Sequence, residues 1–111
     1  MNKFYNNLIN SINGLKFVLK EHSFIAELVG GVILIPYLFF IEFSILFKIA
    51  IISIYILLLA FEIMNTAIEK LCDKITKEID SDIKIIKDLA SASVFILLIL
   101  LVIMILFTFF M

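Results

Sequence analysis

Three apolar runs divide this chain, with charged residues gathered at their borders. The longest, Leu89 to Met111, is 23 residues without a formal charge, enough for a helix to cross a hydrocarbon core of roughly 30 Å. Two further candidate spans cover residues 23–41 and 45–65. The second contains Lys48, near enough to one end for its ammonium to reach the interface along the alkyl stem. Ahead of the spans, Phe4, Leu8, Ile12, Leu15 and Leu19 recur at helical spacing, while Asn6, Asn7, Asn10, Asn13 and Lys20 fall mainly elsewhere. This pattern predicts an amphipathic helix over residues 4–20 lying on the membrane, either as a simple anchor or as a lid over an interfacial site.

The polar punctuation refines these elements. Gly30-Gly31 in the first span lets another helix approach closely, and Pro36-Tyr37 predicts a kink or closure toward its end. Residues 42–48 form a short turn. The second helix is expected to outrun its apolar segment and continue to about Thr76. Asp80-Ser81-Asp82 supplies turn and N-cap chemistry for a third long helix starting near Ile83. Ala90-Ser91-Ala92-Ser93 makes a collar of small residues suited to tight helix contact. Residues 66–88 therefore read as a helix extension plus a polar loop. No repeat or linker divides the chain, so residues 1–111 form a single membrane domain: an all-α integral membrane protein with three transmembrane helices and a surface helix.

Composition supports this class and charge gives it an orientation. The chain is 64% hydrophobic, well above the roughly half expected of a soluble domain. A net charge of -1 offers no case for nucleic-acid binding. Eight of the nine lysines precede the first span or lie between the second and third. By the positive-inside tendency, the N-terminus and long loop are cytoplasmic and the C-terminus lies outside. The first twenty residues lack a signal-peptide pattern. Cys72, the single cysteine, is expected to be a free, packed thiol. Absence of Arg and Trp beside abundant Ile, Phe, Lys and Asn points to an AT-rich genome, and a bacterial inner (plasma) membrane is the expected location.

The candidate chemistry lies where the second apolar run meets the loop. Glu62, Asn65, Glu69 and Asp73 recur at i, i+3, i+7 and i+11, so they share one helix stripe. An ionisable group beside hydrocarbon costs a few kcal/mol or more unless paired, hydrated or metal-bound. Glu21 and Glu27 border the first span at the same interface, and Lys87-Asp88 border the third. Hard oxygen ligands suit Mg²⁺ with substrate phosphates, and a lysine can hold phosphate as a point charge. Together they provide what phosphoryl transfer requires, with Glu62, the deepest, as the candidate base. No P-loop or kinase-type glycine loop is present. Asp80 and Asp82 are expected to be turn residues, His22 a snorkelling polar group, and the Phe-rich span ends lipid-facing bulk.

The segment Glu62-Ile63-Met64-Asn65-Thr66-Ala67-Ile68-Glu69, followed by Asp73 and by Lys87-Asp88-Leu89-Ala90-Ser91-Ala92, closely resembles the prokaryotic diacylglycerol kinase family. The resemblance implies a homotrimer of three-span protomers, with shared active sites that transfer the γ-phosphate of MgATP to a lipid alcohol. It implies Glu62 as the general base, Glu21 and Glu69 as metal-coordinating carboxylates, and Asn65, Lys87 and Asp88 as residues required for activity. Lys87 is expected on the nucleotide phosphates, and Glu27 and Asp73 are expected in the ATP and Mg²⁺ neighbourhood. Lys3 stands near where relatives carry an N-terminal arginine. Asn65 and Ser91, beside Glu62, are the expected lipid-substrate contacts.

Two branches share this signature, one acting on diacylglycerol to give phosphatidic acid and the other on undecaprenol to give undecaprenyl phosphate. Phe24 with Glu27, and Asp73-Lys74-Ile75, resemble the diacylglycerol branch, whereas Ile25-Ala26 replace its usual Arg-Gln. A reading from another class is a small channel or transporter subunit with acids lining an ion path. The uncharged third span argues against it.

Overall fold

The computed structural model describes residues 2–111, which form four α-helices: α1 (Asn2–Val18), α2 (His22–Phe40), α3 (Ile45–Ile75) and α4 (Ser81–Phe110). Among the described residues there is no strand. Three helices, α2 to α4, are long and apolar enough to cross a membrane. At 1.5 Å per residue α2 is about 28 Å long and just matches a bilayer core, whereas α3 is about 46 Å and must project beyond it. The projecting part is residues 66–75, where Lys70, Asp73 and Lys74 interrupt the apolar pattern. α3 is the central helix, packing most extensively on α4 and also on α2.

Each junction has a local cause. Ser44 caps α3 through its side chain, which accepts from the Phe47 N–H at 3.2 Å. Asp80 caps α4, accepting from the N–H groups of Asp82 and Ile83 at 2.9 and 3.1 Å, so α4 starts at Ser81, slightly earlier than the apolar pattern suggests. Between α1 and α2 the chain turns on two tight bonds, from Lys20 N–H to the Phe17 carbonyl and from Glu21 N–H to the Val18 carbonyl. Pro36 does not end α2: the helix runs on to Phe40. Near its end, Tyr37 Oη shares a 2.7 Å hydrogen bond with Thr108 Oγ1 of α4.

The core is built from one stripe per helix. On α3, Ile51, Tyr55, Leu58, Glu62, Asn65 and Thr66 are buried, at offsets of about 4, 7, 11, 14 and 15 residues from the first, which is one helical face. On α2 the buried stripe is Phe24, Gly31, Leu34 and Leu38, and on α4 it is Ala90, Val94 and Leu101. The remaining span surface is apolar and uncovered; only 11% of the α4 apolar window is buried, as expected for helices solvated by lipid or by neighbouring helices.

At the end away from the acidic stripe, Lys48 Nζ donates to the Ile41 carbonyl at 2.9 Å, folding its ammonium back onto the α2–α3 turn. Phe43, Phe47 and Phe107 pack on one another there, with centroids 4.9 to 5.9 Å apart. These phenylalanines are thus partly a helix-joining cluster rather than lipid-facing bulk alone. α1 lies outside the bundle with Phe4, Leu8, Ile12 and Leu15 exposed and its last residue, Val18, buried.

Candidate active site

The inward stripes carry more than the core. Followed to one end, each acquires an ionisable group at a spacing that keeps it on the same face. Glu27 sits three residues after Phe24 and four before Gly31 on α2. Glu62 sits four residues after Leu58 on α3, and Lys87 three before Ala90 on α4. The helical repeat that packs the spans therefore also carries two carboxyls and an ammonium to the same end of the bundle.

Glu62 is 5% exposed and Asn65 9%. The Glu27 and Glu62 carboxyls come within hydrogen-bonding reach of each other across the α2–α3 contact. Two carboxylates this close repel unless a proton or a cation lies between them. Glu27 Oε1 and Asn65 Oδ1 are buried acceptors with no protein partner, and such atoms normally have one. Thr66 Oγ1 donates to the Glu62 carbonyl at 3.1 Å, and Asn65 Nδ2 donates to Glu69 Oε1 at 3.2 Å. The amide thus links the buried part of the stripe to Glu69, which is exposed.

Beyond the apolar part of the spans, Lys87 Nζ donates to Asp73 Oδ1 at 2.8 Å. The Lys87 ammonium, through this hydrogen bond and its charge, holds the Asp73 carboxyl below its ordinary value. Hydrogen bonding to Asp73 in turn raises Lys87, with the Asp73 charge acting in the same direction. Glu21, immediately before α2, faces Lys70 of α3 at 3.5 Å, and the Lys70 ammonium also stands 5.5 Å from the Phe17 ring centre. That contact ties the end of α1 to the acidic end of α3.

Other expected site residues are placed less centrally. Asp88 is exposed and pairs with Lys84 at 2.7 Å, an i,i+4 contact. Ser91 is exposed, one residue beyond buried Ala90. Lys3 lies exposed in the first turn of α1 and makes no ion pair among the described residues. No group of three His, Cys, Asp or Glu side chains among the described residues could hold a metal alone. Two carboxylates suffice for a nucleotide-bound Mg²⁺, because the phosphates supply the other hard oxygens.

Lys70 and Tyr55 escaped the sequence reading. Lys70 follows Glu69 in a lysine-rich segment and nothing local marks it as the partner of Glu21. Tyr55 lies seven residues before Glu62 and so on the same stripe, but nothing local says what its hydroxyl meets. Cys72 is a free, buried thiol, and Asp80 is a cap, both as expected.

A three-span helical bundle with carboxyl and ammonium groups drawn to one end of its inward stripes is a polytopic membrane protein with a polar site at the border of its spans. The chain belongs to the prokaryotic diacylglycerol kinase family, whose model matches residues 9–109. The match takes in every site residue named above except Lys3. No curated protein matches the chain. Family membership makes this a lipid kinase, and its three apolar helices make it a multi-pass membrane protein.

Proposed function

We propose that this protein transfers the γ-phosphate of MgATP to the hydroxyl of diacylglycerol, giving phosphatidic acid. The observation that carries this reading is the position of Glu62. It is buried at the point where the α3 core stripe turns polar, with Asn65 beside it and an outward chain of polar groups through Glu69. A lipid alcohol reaches that depth from the bilayer, and a nucleotide approaches from water.

In this account Glu62 takes the proton of the lipid hydroxyl as its oxygen attacks the γ-phosphorus. The bond from that phosphorus to the bridging oxygen of ADP breaks, and ADP leaves with the electron pair. Asn65 and Ser91 contact the lipid headgroup. Lys87, oriented by Asp73, holds nucleotide phosphate oxygens, and Glu27 and Asp88 complete the polar surroundings. Glu21 and Glu69 would hold Mg²⁺; when bound, the ion neutralises phosphate charge. Binding at Glu21 has to compete with Lys70, whose exposed pairing is weak enough to be displaced. Lys3 belongs at most to the outer rim of the nucleotide site.

The protein acts as a homotrimer with sites shared between protomers, in a bacterial inner membrane, with the N-terminus and acidic end cytoplasmic and the C-terminus outside. The uncovered apolar surface of α4 and the exposure of Glu69 support a site completed by a neighbouring copy. Undecaprenol is the competing substrate. The observation favouring it is the outward, apolar face at Ile25-Ala26 of α2, where the diacylglycerol branch usually carries Arg-Gln.

Replacing Glu62 tests the reading. Glu62→Gln should lower phosphate transfer by about 10²-fold or more while helix content and oligomeric state stay unchanged. Full activity in that variant would remove Glu62 from the base role.

A further inference from the structure

The contact that sets Glu27 opposite Glu62 is made by a residue about two turns deeper on α3 than Glu62, one with no assigned part in the chemistry. Tyr55 is 8% exposed on the inward stripe of α3, and its hydroxyl donates to the backbone carbonyl of Glu27 at 2.8 Å. That carbonyl lies in α2, where backbone groups are already engaged along the helix, so the tyrosine bond is an extra tie between the two helices at the level of the glutamate. The close approach depends on Gly31. A Cβ built there would collide with the hydroxyl, Cζ and Cε2 of Tyr55, whereas one at neighbouring Gly30 would meet open space. Of the two adjacent glycines, only Gly31 is required by packing.

The consequence is a fixed vertical register. A helix pair held only by aliphatic side chains can slide by a fraction of a turn at little cost, because lipid offers no hydrophobic force against it. A hydrogen bond inside hydrocarbon is directional, and losing it leaves a polar group unpaired. Tyr55 bonds to the backbone of the residue whose carboxyl meets Glu62. Sliding α2 on α3 would therefore break the bond and separate the two carboxyls together.

We propose that Tyr55 is a positioning residue of the acidic site: seated against Gly31, it holds α2 at the height that presents Glu27 to Glu62. Its effect on turnover passes through Glu27, and this part rests on the lipid-kinase reading of the site. Tyr55→Phe is the informative variant because it keeps the ring and removes only the hydroxyl.

Two measurements test the proposal. In a Cys72→Ala background, Glu27→Cys with Glu62→Cys is treated with a short bifunctional thiol reagent. Intact mass then distinguishes one bridging reagent from two separately capped thiols. Bridging should be efficient with Tyr55 and fall about fivefold with Tyr55→Phe, the scale of one modest hydrogen bond; unchanged bridging overturns the proposal. In the otherwise native chain, Tyr55→Phe should lower kcat by about fivefold and leave the KM for ATP unchanged. Added to Glu27→Gln it should cause no further loss. Equal losses in both backgrounds would show that Tyr55 does not act through Glu27. A native protein that transfers no phosphate to lipid would overturn the kinase reading, and the bridging result would still decide the role of Tyr55.

Discussion

Lys87 and Asp73 join the two helices that flank the polar loop, with the ammonium 2.8 Å from the carboxylate. The pair closes the mouth of α3 and α4 just above Ala90, the first buried residue of α4. It also fixes the direction of the lysine assigned to nucleotide phosphate.

The pair has a defined pH signature. The carboxyl of Asp73 titrates below its ordinary value in the folded protein, so its stabilising contribution is present above the unfolded value, about 4. It fades as pH falls through the lower folded value. Lys87 is raised, so its contribution is present below about 10.4 and fades as pH rises through the folded value. The contact is therefore intact across the neutral range. Asp73→Asn should lower the Tm of detergent-solubilised protein slightly at neutral pH, with the difference from wild type disappearing at strongly acidic pH. A constant difference at every pH would assign the effect to something other than this ion pair.

Glu69 and Glu62 should respond differently to conservative substitution. Glu69→Gln keeps the size of the side chain and its link to Asn65 while removing the charge. Its activity should return at Mg²⁺ concentrations well above those saturating the wild type. Titrating Mg²⁺ at fixed ATP checks this, and an unchanged Mg²⁺ dependence would take Glu69 out of the metal site.

Sites shared between protomers predict complementation. Glu62→Gln and Glu69→Gln protomers, each inactive or weak alone, should recover part of the wild-type activity when co-reconstituted, because a hybrid trimer contains some unimpaired sites. Proven subunit mixing without recovery would place each site within one protomer.

Much of this architecture is visible in the residue pattern because one stripe does two jobs. The i, i+3, i+7, i+11 row from Glu62 to Asp73 continues the buried row of Ile51, Tyr55 and Leu58, so reading the polar face also locates the core face. Helix extension past the membrane and the Asp80 cap were equally legible, since both rest on local chemistry. Contacts between helices were not. Nothing in the order of residues says that Lys70 meets Glu21 or that Tyr55 rests on Gly31. Those depend on the relative height of two helices, and periodicity fixes a face without fixing a height. Closure of the span at Pro36-Tyr37 was not met for a related reason: the missing N–H removes one bond within α2, and the contacts that carry the helix on to Phe40, such as Tyr37 with Thr108, lie between helices.

The most direct test of the central claim is phosphate transfer from labelled MgATP by the purified protein in mixed micelles. Diacylglycerol and undecaprenol are offered separately and in competition, with Glu62→Gln as the blank. The account predicts transfer chiefly to diacylglycerol, abolished in the blank. Preference for undecaprenol would overturn the substrate and leave the site assignments standing. Transfer to neither alcohol by a well-folded preparation would contradict the account, and ion flux through the same protein in liposomes without ATP would then point to a channel.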